Sequence, residues 1–172
     1  MAVKNIKEEY AASAALTITL ASLASSITWI VGRESTEVDN STNKYLDYLL
    51  SGKITVGTTP NAATQIRVYA WGLMEDTPTR PINVAGSDAG LTPTGGQSVI
   101  DPLFKLAAVM STVDTTSDRT YWFGPLSIAV LFGGQMPKRF GVWVTHNTNV
   151  VLNATGGNHA IWVTPIFATV EA

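Results

Sequence analysis

The sequence predicts an all-β chain, folded as an antiparallel jelly-roll-like β-sandwich behind a short N-terminal arm. Three observations predict it. Apolar and polar residues alternate with a period of two, as where Ile66, Val68 and Ala70 interleave with Arg67, Tyr69 and Trp71. Clusters of Pro, Gly, Asn and Asp punctuate such segments at short intervals, and no long stretch carries a helical period. Threonine is abundant, and only 14% of residues are charged, against roughly 25% in an ordinary soluble domain. A length of 172 residues suits one domain, read as an arm at 1–12 and a single sandwich at 13–172. No internal repeat is visible, which argues against a propeller or solenoid.

Residues 1–12 are polar and aperiodic, hence the arm. In 15–21, Leu16, Ile18 and Leu20 alternate with Thr17 and Thr19, the pattern of a half-buried strand. A short apolar run at 27–31 predicts a second strand. Residues 44–57 hold the period longest, with Leu46, Tyr48, Leu50, Ile54 and Val56 on one face. Tyr45, Asp47, Ser51, Lys53 and Thr55 lie on the other, and Gly52 is the expected bend or bulge. A helix over 44–50 is the competing reading. Thr58-Thr59-Pro60-Asn61 reads as a turn, and 65–73 as the next strand. Residues 75–102, rich in Pro, Gly, Thr and Asp, make a long loop of the kind that often carries function. Further strands are expected at 104–111, 120–123, 126–132, 139–146, 150–153 and 160–170.

One segment stands apart: Gly32-Arg33-Glu34-Ser35-Thr36-Glu37-Val38-Asp39-Asn40-Ser41-Thr42-Asn43 concentrates charge between apolar flanks. A connection this polar is fixed by its own hydrogen bonds or held by a partner. It reads as self-braced, with the outer charges of Arg33, Glu34 and Glu37 directed at another subunit. Glu34, Glu37, Asp39 and Asn40 offer oxygens to calcium, yet their spacing matches no calcium loop and Arg33 opposes the charge. Asp39 and Asn40 bracing a turn through their own side chains is the simpler reading.

Net charge is −2, and Lys138-Arg139 is the sole adjacent basic pair, so no nucleic-acid surface is expected. With no Cys, neither a disulfide framework nor a thiolate zinc site can form. The charge-free tract 11–31 approaches membrane-spanning length, but Thr17, Thr19, Ser22, Ser25, Ser26 and Thr28 interrupt it. Glu8 and Glu9 beside Lys4 and Lys7 are unlike the basic start of a secretory signal, so no membrane role is expected.

Chemistry has few candidates. A catalytic triad would take His146 or His159 as base for Ser35 or Ser127, with Asp39 or Asp101 as orienter. The chain has no Gly-x-Ser-x-Gly elbow, and loop-end histidines bonded to backbone are the simpler reading. The 13 acidic residues single out no glycosidase pair, and the Gly-Gly pairs fit no phosphate loop. No enzyme activity, cofactor or metal is expected.

The aromatic residues say more. If Ile66 and Val68 face the core, Tyr69 and Trp71 face the other side. Trp143 lies opposite Phe140, Val142 and Val144, and Trp162 opposite Ile161 and Val163. Exposed, such residues mark a protein interface or a sugar platform. The competing reading is that both faces of these strands are covered. Tyr69, Trp71 and Trp143 join Arg33, Glu34 and Glu37 as the candidate protein interface.

The chain also resembles small structural proteins of tailed bacteriophages. The resemblance rests on Leu16-Thr17-Ile18-Thr19-Leu20-Ala21-Ser22-Leu23-Ala24, Gly32-Arg33-Glu34-Ser35-Thr36, Val38-Asp39-Asn40 and Tyr45-Leu46-Asp47. Val68-Tyr69-Ala70-Trp71-Gly72, Phe132-Gly133-Gly134 with Pro137, and Gly156-Gly157-Asn158-His159 extend it. It implies a β-sandwich virion component made in the host cytoplasm, most simply a capsid decoration or cement protein. It further implies a homo-oligomer that binds the major capsid protein or other virion subunits. A tail or connector component, or a carbohydrate-binding module for host attachment, are the alternatives.

Overall fold

The computed structural model describes residues 5–77, 79–80, 83–96, 100 and 102–171. The chain runs β1 (Ile6–Tyr10), β2 (Ala14–Ala15), β3 (Gly32–Glu34), β4 (Val38–Asp39), β5 (Asp47–Thr55), β6 (Gln65–Leu73) and β7 (Ala89–Leu91). It continues through β8 (Lys105–Ser111), β9 (Thr120–Ser127), a helical turn α1 (Ile128–Leu131), β10 (Arg139–His146) and β11 (Ala160–Val170). Every ladder is antiparallel. The 5-stranded sheet is ordered β1-β11-β5-β9, with β2 also on β11. The 6-stranded sheet is ordered β7-β3-β10-β6-β8, with β4 also on β10. Early and late strands thus alternate in both sheets.

The sheets pack through the alternate residues that the period-two pattern marks. Tyr48, Leu50 and Ile54 of β5 and Ile161 and Val163 of β11 meet Ile66, Val68 and Ala70 of β6 and Phe140, Val142 and Val144 of β10 in one core. The β5 register shifts between Leu50 and Gly52 against β9. A Cβ on Gly52 would lie 2.7 Å from both the Phe123 ring and the Ala160 carbonyl, so only glycine lets the strand pass there.

Several expected elements differ. The 44–50 segment enters a strand, not a helix. The N-terminal segment read as an arm carries β1, paired along its length with β11. Of the strand expected at 15–21, only Ala15 falls in a strand, β2. The Leu16 amide bonds the Ile161 carbonyl in one sheet, while the Thr17 carbonyl accepts from Thr36 beside the other. The segment therefore crosses between sheets, which ends its ladder but keeps Leu20 in the core. The run at 27–31 is a turn: Ser26 Oγ accepts the Ile30 and Val31 amides, both at 3.2 Å, and Ile27 is exposed. At 126–132 the strand stops at Ser127, whose Oγ accepts the Val130 amide at 3.0 Å and starts α1. A short apolar run does not by itself separate strand from helical turn.

The loop after β6 forms a second core. Tyr69, Trp71, Leu73, Val84, Leu91, Ile100, Phe104 and Trp143 pack together on the outer face of the 6-stranded sheet. Trp143 lies 5.3 Å from the Tyr69 ring and 5.4 Å from that of Phe104, centroid to centroid. Both indoles press on glycine. A Cβ on Gly32 would lie 2.6 Å from Trp143 Nε1, and one on Gly141 would collide with the Trp71 ring.

Candidate functional site

The polar segment is not a plain loop. It contains β3 and β4, which pair with one edge of β10, and β3 pairs with β7 on its other side. Alternation then sends Glu34 inward, where its side chain is wholly buried. It accepts the Ala85 amide at 2.8 Å and the Gly86 amide at 3.3 Å. Burial raises its pKa above the ordinary glutamate value, against those two amides and the Arg80 and Arg33 charges. Glu37 lies between two guanidinium groups, Arg139 at 2.8 Å and Arg80 at 3.1 Å. Arg33 Nε bonds Asp88 at 2.7 Å and its Nη2 donates to the Asp88 carbonyl at 2.9 Å. Burial works to raise the Asp88 pKa, but hydrogen bonds from Arg33 and Thr19 outweigh it and hold the carboxyl below the usual range.

These contacts correct the interface assignment. Glu34 and Glu37 are consumed by contacts inside the chain, Glu34 without any exposed surface. Arg33 keeps 27% of its side chain exposed, but its donors clamp the long loop to the sandwich. The calcium oxygens are spoken for in the same way. Asp39 accepts the Ser41 amide at 2.8 Å and pairs with Arg139, while the Asn40 side chain bonds both the amide and the carbonyl of Tyr45. They brace a turn, as the simpler reading had it.

The histidines are interior. His146 has no exposed surface, and its ring nitrogens lie 2.9 Å from Thr148 Oγ1 and 3.0 Å from the Leu23 carbonyl oxygen. Burial pushes its pKa down to about 4; the Leu23 carbonyl works against this and His159 adds to it. His159 accepts the Thr55 amide at Nδ1 and places Nε2 2.8 Å from the Asn153 carbonyl oxygen. Ser35 Oγ bonds Thr36 and Val142 backbone groups, and Ser127 caps α1, so neither hydroxyl is hydrogen-bonded to a histidine. Asp101 lies outside the described residues. Among the described residues no three His, Cys, Asp or Glu side chains are grouped to hold a metal ion. No described helix is long and apolar enough to cross a membrane.

Tyr69, Trp71 and Trp143 do lie opposite the main core, as their parity predicts. They are not exposed: Trp71 and Trp143 have no accessible surface, because the loop after β6 covers that face. As interface residues they are corrected.

The open surface lies on the other sheet. In β11, Ile161, Val163 and Pro165 are buried, so Trp162, Thr164, Ile166, Ala168 and Val170 face outward. Register puts Ile6 and Tyr10 of β1 on that same face, 75% and 69% exposed, beside Val170 at 59%. Across the sheet Trp122 of β9 is 66% exposed. Its ring stacks on Trp162 at 6.4 Å and 15°, with Lys53 Nζ 6.0 Å from its centroid. Comparison with known protein families, with characterised proteins and with solved structures finds no match for this chain. The site is therefore read from geometry alone.

What this geometry offers is a surface. An outward face carrying exposed apolar and aromatic side chains buries well against another protein. Sequence reasoning named Trp162 but missed Trp122. The signal was there: Tyr121 and Phe123 alternate with Trp122, placing it on the face opposite the core.

Proposed function

We propose that the protein is a non-enzymatic bacteriophage virion component that decorates and cements the capsid shell through subunit interfaces. The observation that carries this is the exposed apolar outer face of the five-stranded sheet, from Ile6 and Tyr10 across Trp162 to Trp122. A cement protein works without chemistry, by burying surface that neighbouring subunits leave open, and it stabilises whatever state it binds. The strand order adds support. Leaving out β1, β4 and β7, the orders β2-β11-β5-β9 and β3-β10-β6-β8 are those a jelly roll would give, and a jelly roll is frequent in viral capsid and lectin domains. That support is by analogy of fold. Purified protein added to shells that lack it is expected to bind them and raise their melting temperature. Shells that neither bind it nor gain stability would sink the proposal. A tail or connector subunit needs the same surfaces, and locating the protein in virion micrographs separates the two.

A second reading has its own observation. Trp122, exposed and stacked on the half-buried Trp162, offers an aromatic ring of the kind that receives a sugar. It predicts glycan binding that Trp122→Ala abolishes, and a glycan array without binding removes it.

A further inference from the structure

β1 is a free edge. Its one strand partner among the described residues is β11, and two hydrogen bonds fix how it is oriented. The Asn5 carbonyl accepts the Glu171 amide at 3.0 Å, and the Ala11 amide donates to the Pro165 carbonyl at 2.9 Å. Antiparallel ladders alternate, so the odd-numbered residues from Asn5 to Ala11 direct their backbone groups at β11. Ile6, Glu8 and Tyr10 direct theirs away, and no described strand receives them. Proteins usually blunt such an edge with proline, a bulge or a cover. The β1 sequence Ile6-Lys7-Glu8-Glu9-Tyr10 has no proline, and its register on β11 runs unbroken.

We propose that β1 is a dimerisation edge: two copies of this chain pair their β1 strands antiparallel about a two-fold axis at Glu8. The strand's own sequence selects this partner and this register. Residues facing each other across an antiparallel pair must point to the same side of the sheet. In a two-fold pair this requires a residue on the axis. With Lys7 there, lysine faces lysine and Ile6 faces Glu8. With Glu9 there, glutamate faces glutamate and Glu8 faces Tyr10. With Glu8 on the axis, Lys7 faces Glu9 twice and Ile6 faces Tyr10 twice. Opposite charges and apolar pairs gain where like charges lose. The outward backbone groups of Ile6, Glu8 and Tyr10, which no described strand receives, then bond across the axis, Ile6 with Tyr10 and Glu8 with Glu8 of the second copy. Within one chain Lys7 Nζ already lies 3.4 Å from Glu9 Oε1, so pairing exchanges this contact between strands. Only the two Glu8 side chains oppose each other, on the outer face. The two-fold axis also closes the assembly, so the edge is consumed and does not propagate.

Charges on an edge strand usually repel partners. Here their mirrored order admits a second copy in one register and penalises the others. The two apolar outer faces then lie side by side in one continuous sheet. The inference stands apart from the virion role, since purified protein decides it without shells.

Sedimentation equilibrium over micromolar to millimolar concentrations is the test. The native chain is expected to form dimers. Lys7→Glu and Glu9→Lys are each expected to weaken them by about tenfold or more, since two attractive pairs become repulsive. Mixing the two variants restores attraction in both pairs, so a heterodimer is expected at native strength, and the double variant is expected to self-associate again. Glu8→Gln removes the one repulsive pair and is expected to tighten the dimer. Glu8→Pro removes an outward amide that β11 does not use, so it is expected to leave a folded monomer. A native chain that stays monomeric overturns the proposal. So do dimers indifferent to Glu8→Pro, or charge variants that mixing does not rescue.

Discussion

A histidine sealed from water titrates outside its usual range, and His146 is sealed on every side. Unfolded, it takes a proton near the ordinary histidine value of 6.5; folded, only at about 4. The stability it contributes is therefore complete above pH 6.5 and lost as pH falls from there towards 4. At roughly 1.4 kcal/mol per unit the loss is about 3 kcal/mol. His159, lowered chiefly by burial, acts in the same direction. Glu34 acts oppositely: its raised carboxyl pKa makes folding more favourable as pH drops towards its unfolded value of 4.5. Asp39, Asp76, Asp88 and Asp114 are held below 3.8, so their contributions disappear only under more acid conditions. Urea unfolding midpoints are expected to fall between pH 6.5 and 4, with a shallower fall in His146→Gln whatever its stability at neutral pH. An equal slope in the variant would assign the acid sensitivity elsewhere. That these residues were histidines at strand ends was plain from the sequence. That the Leu23 carbonyl would close over His146 was not, because that contact joins segments 123 residues apart in the chain.

The connection from β6 to β8 behaves as a packed layer more than a loop. It covers Trp71 and Trp143 with Val84, Leu91, Ile100 and Phe104, and it is fastened by Glu34 at Ala85 and Gly86 and by Arg33 at Asp88. Glu34→Ala would strand two amides and open space beneath the layer, a cost of about 2–4 kcal/mol in unfolding free energy. Faster hydrogen exchange confined to the neighbourhood of residues 83–91 should accompany it. Unchanged exchange there would show that the loop is held by its apolar side chains alone. This layer explains what could and could not be read from the sequence. β6, β10 and β11 fall where their period-two patterns place them, because long strands buried on at least one face carry a strong signal. Glu34 reads as a surface charge until β3, β7 and the loop are assembled around it. The short apolar runs at 27–31 and 126–132 resist reading: the turn braced by Ser26 leaves Ile27 and Val31 exposed, while the helical turn capped by Ser127 buries Ile128 and Ala129 as a strand would.

The two outer faces of the sandwich are unequal. The 6-stranded sheet is finished by its own loop, whereas the outer face of the 5-stranded sheet displays Ile6, Tyr10, Val170 and Trp122 to solvent. Low overall charge fits the proposed role, because a face that neighbours would cover needs few solvating groups. Trp122 is the discriminating residue. It lies on β9, at the sheet edge opposite β1, so replacing it leaves the β1 edge untouched. Trp122→Ser removes an exposed ring that adds little to the core, and its unfolding free energy is expected to stay within about 0.5 kcal/mol of native. Binding to shells that lack the protein is expected to fall by at least an order of magnitude, the cost of losing an aromatic anchor. Trp71→Ala supplies the contrast: it is expected to cost about 3–5 kcal/mol of stability and to affect binding only through folding. If shell binding survives Trp122→Ser while glycan binding is lost, the open face serves host attachment. If both survive, the docking surface lies elsewhere on the sandwich.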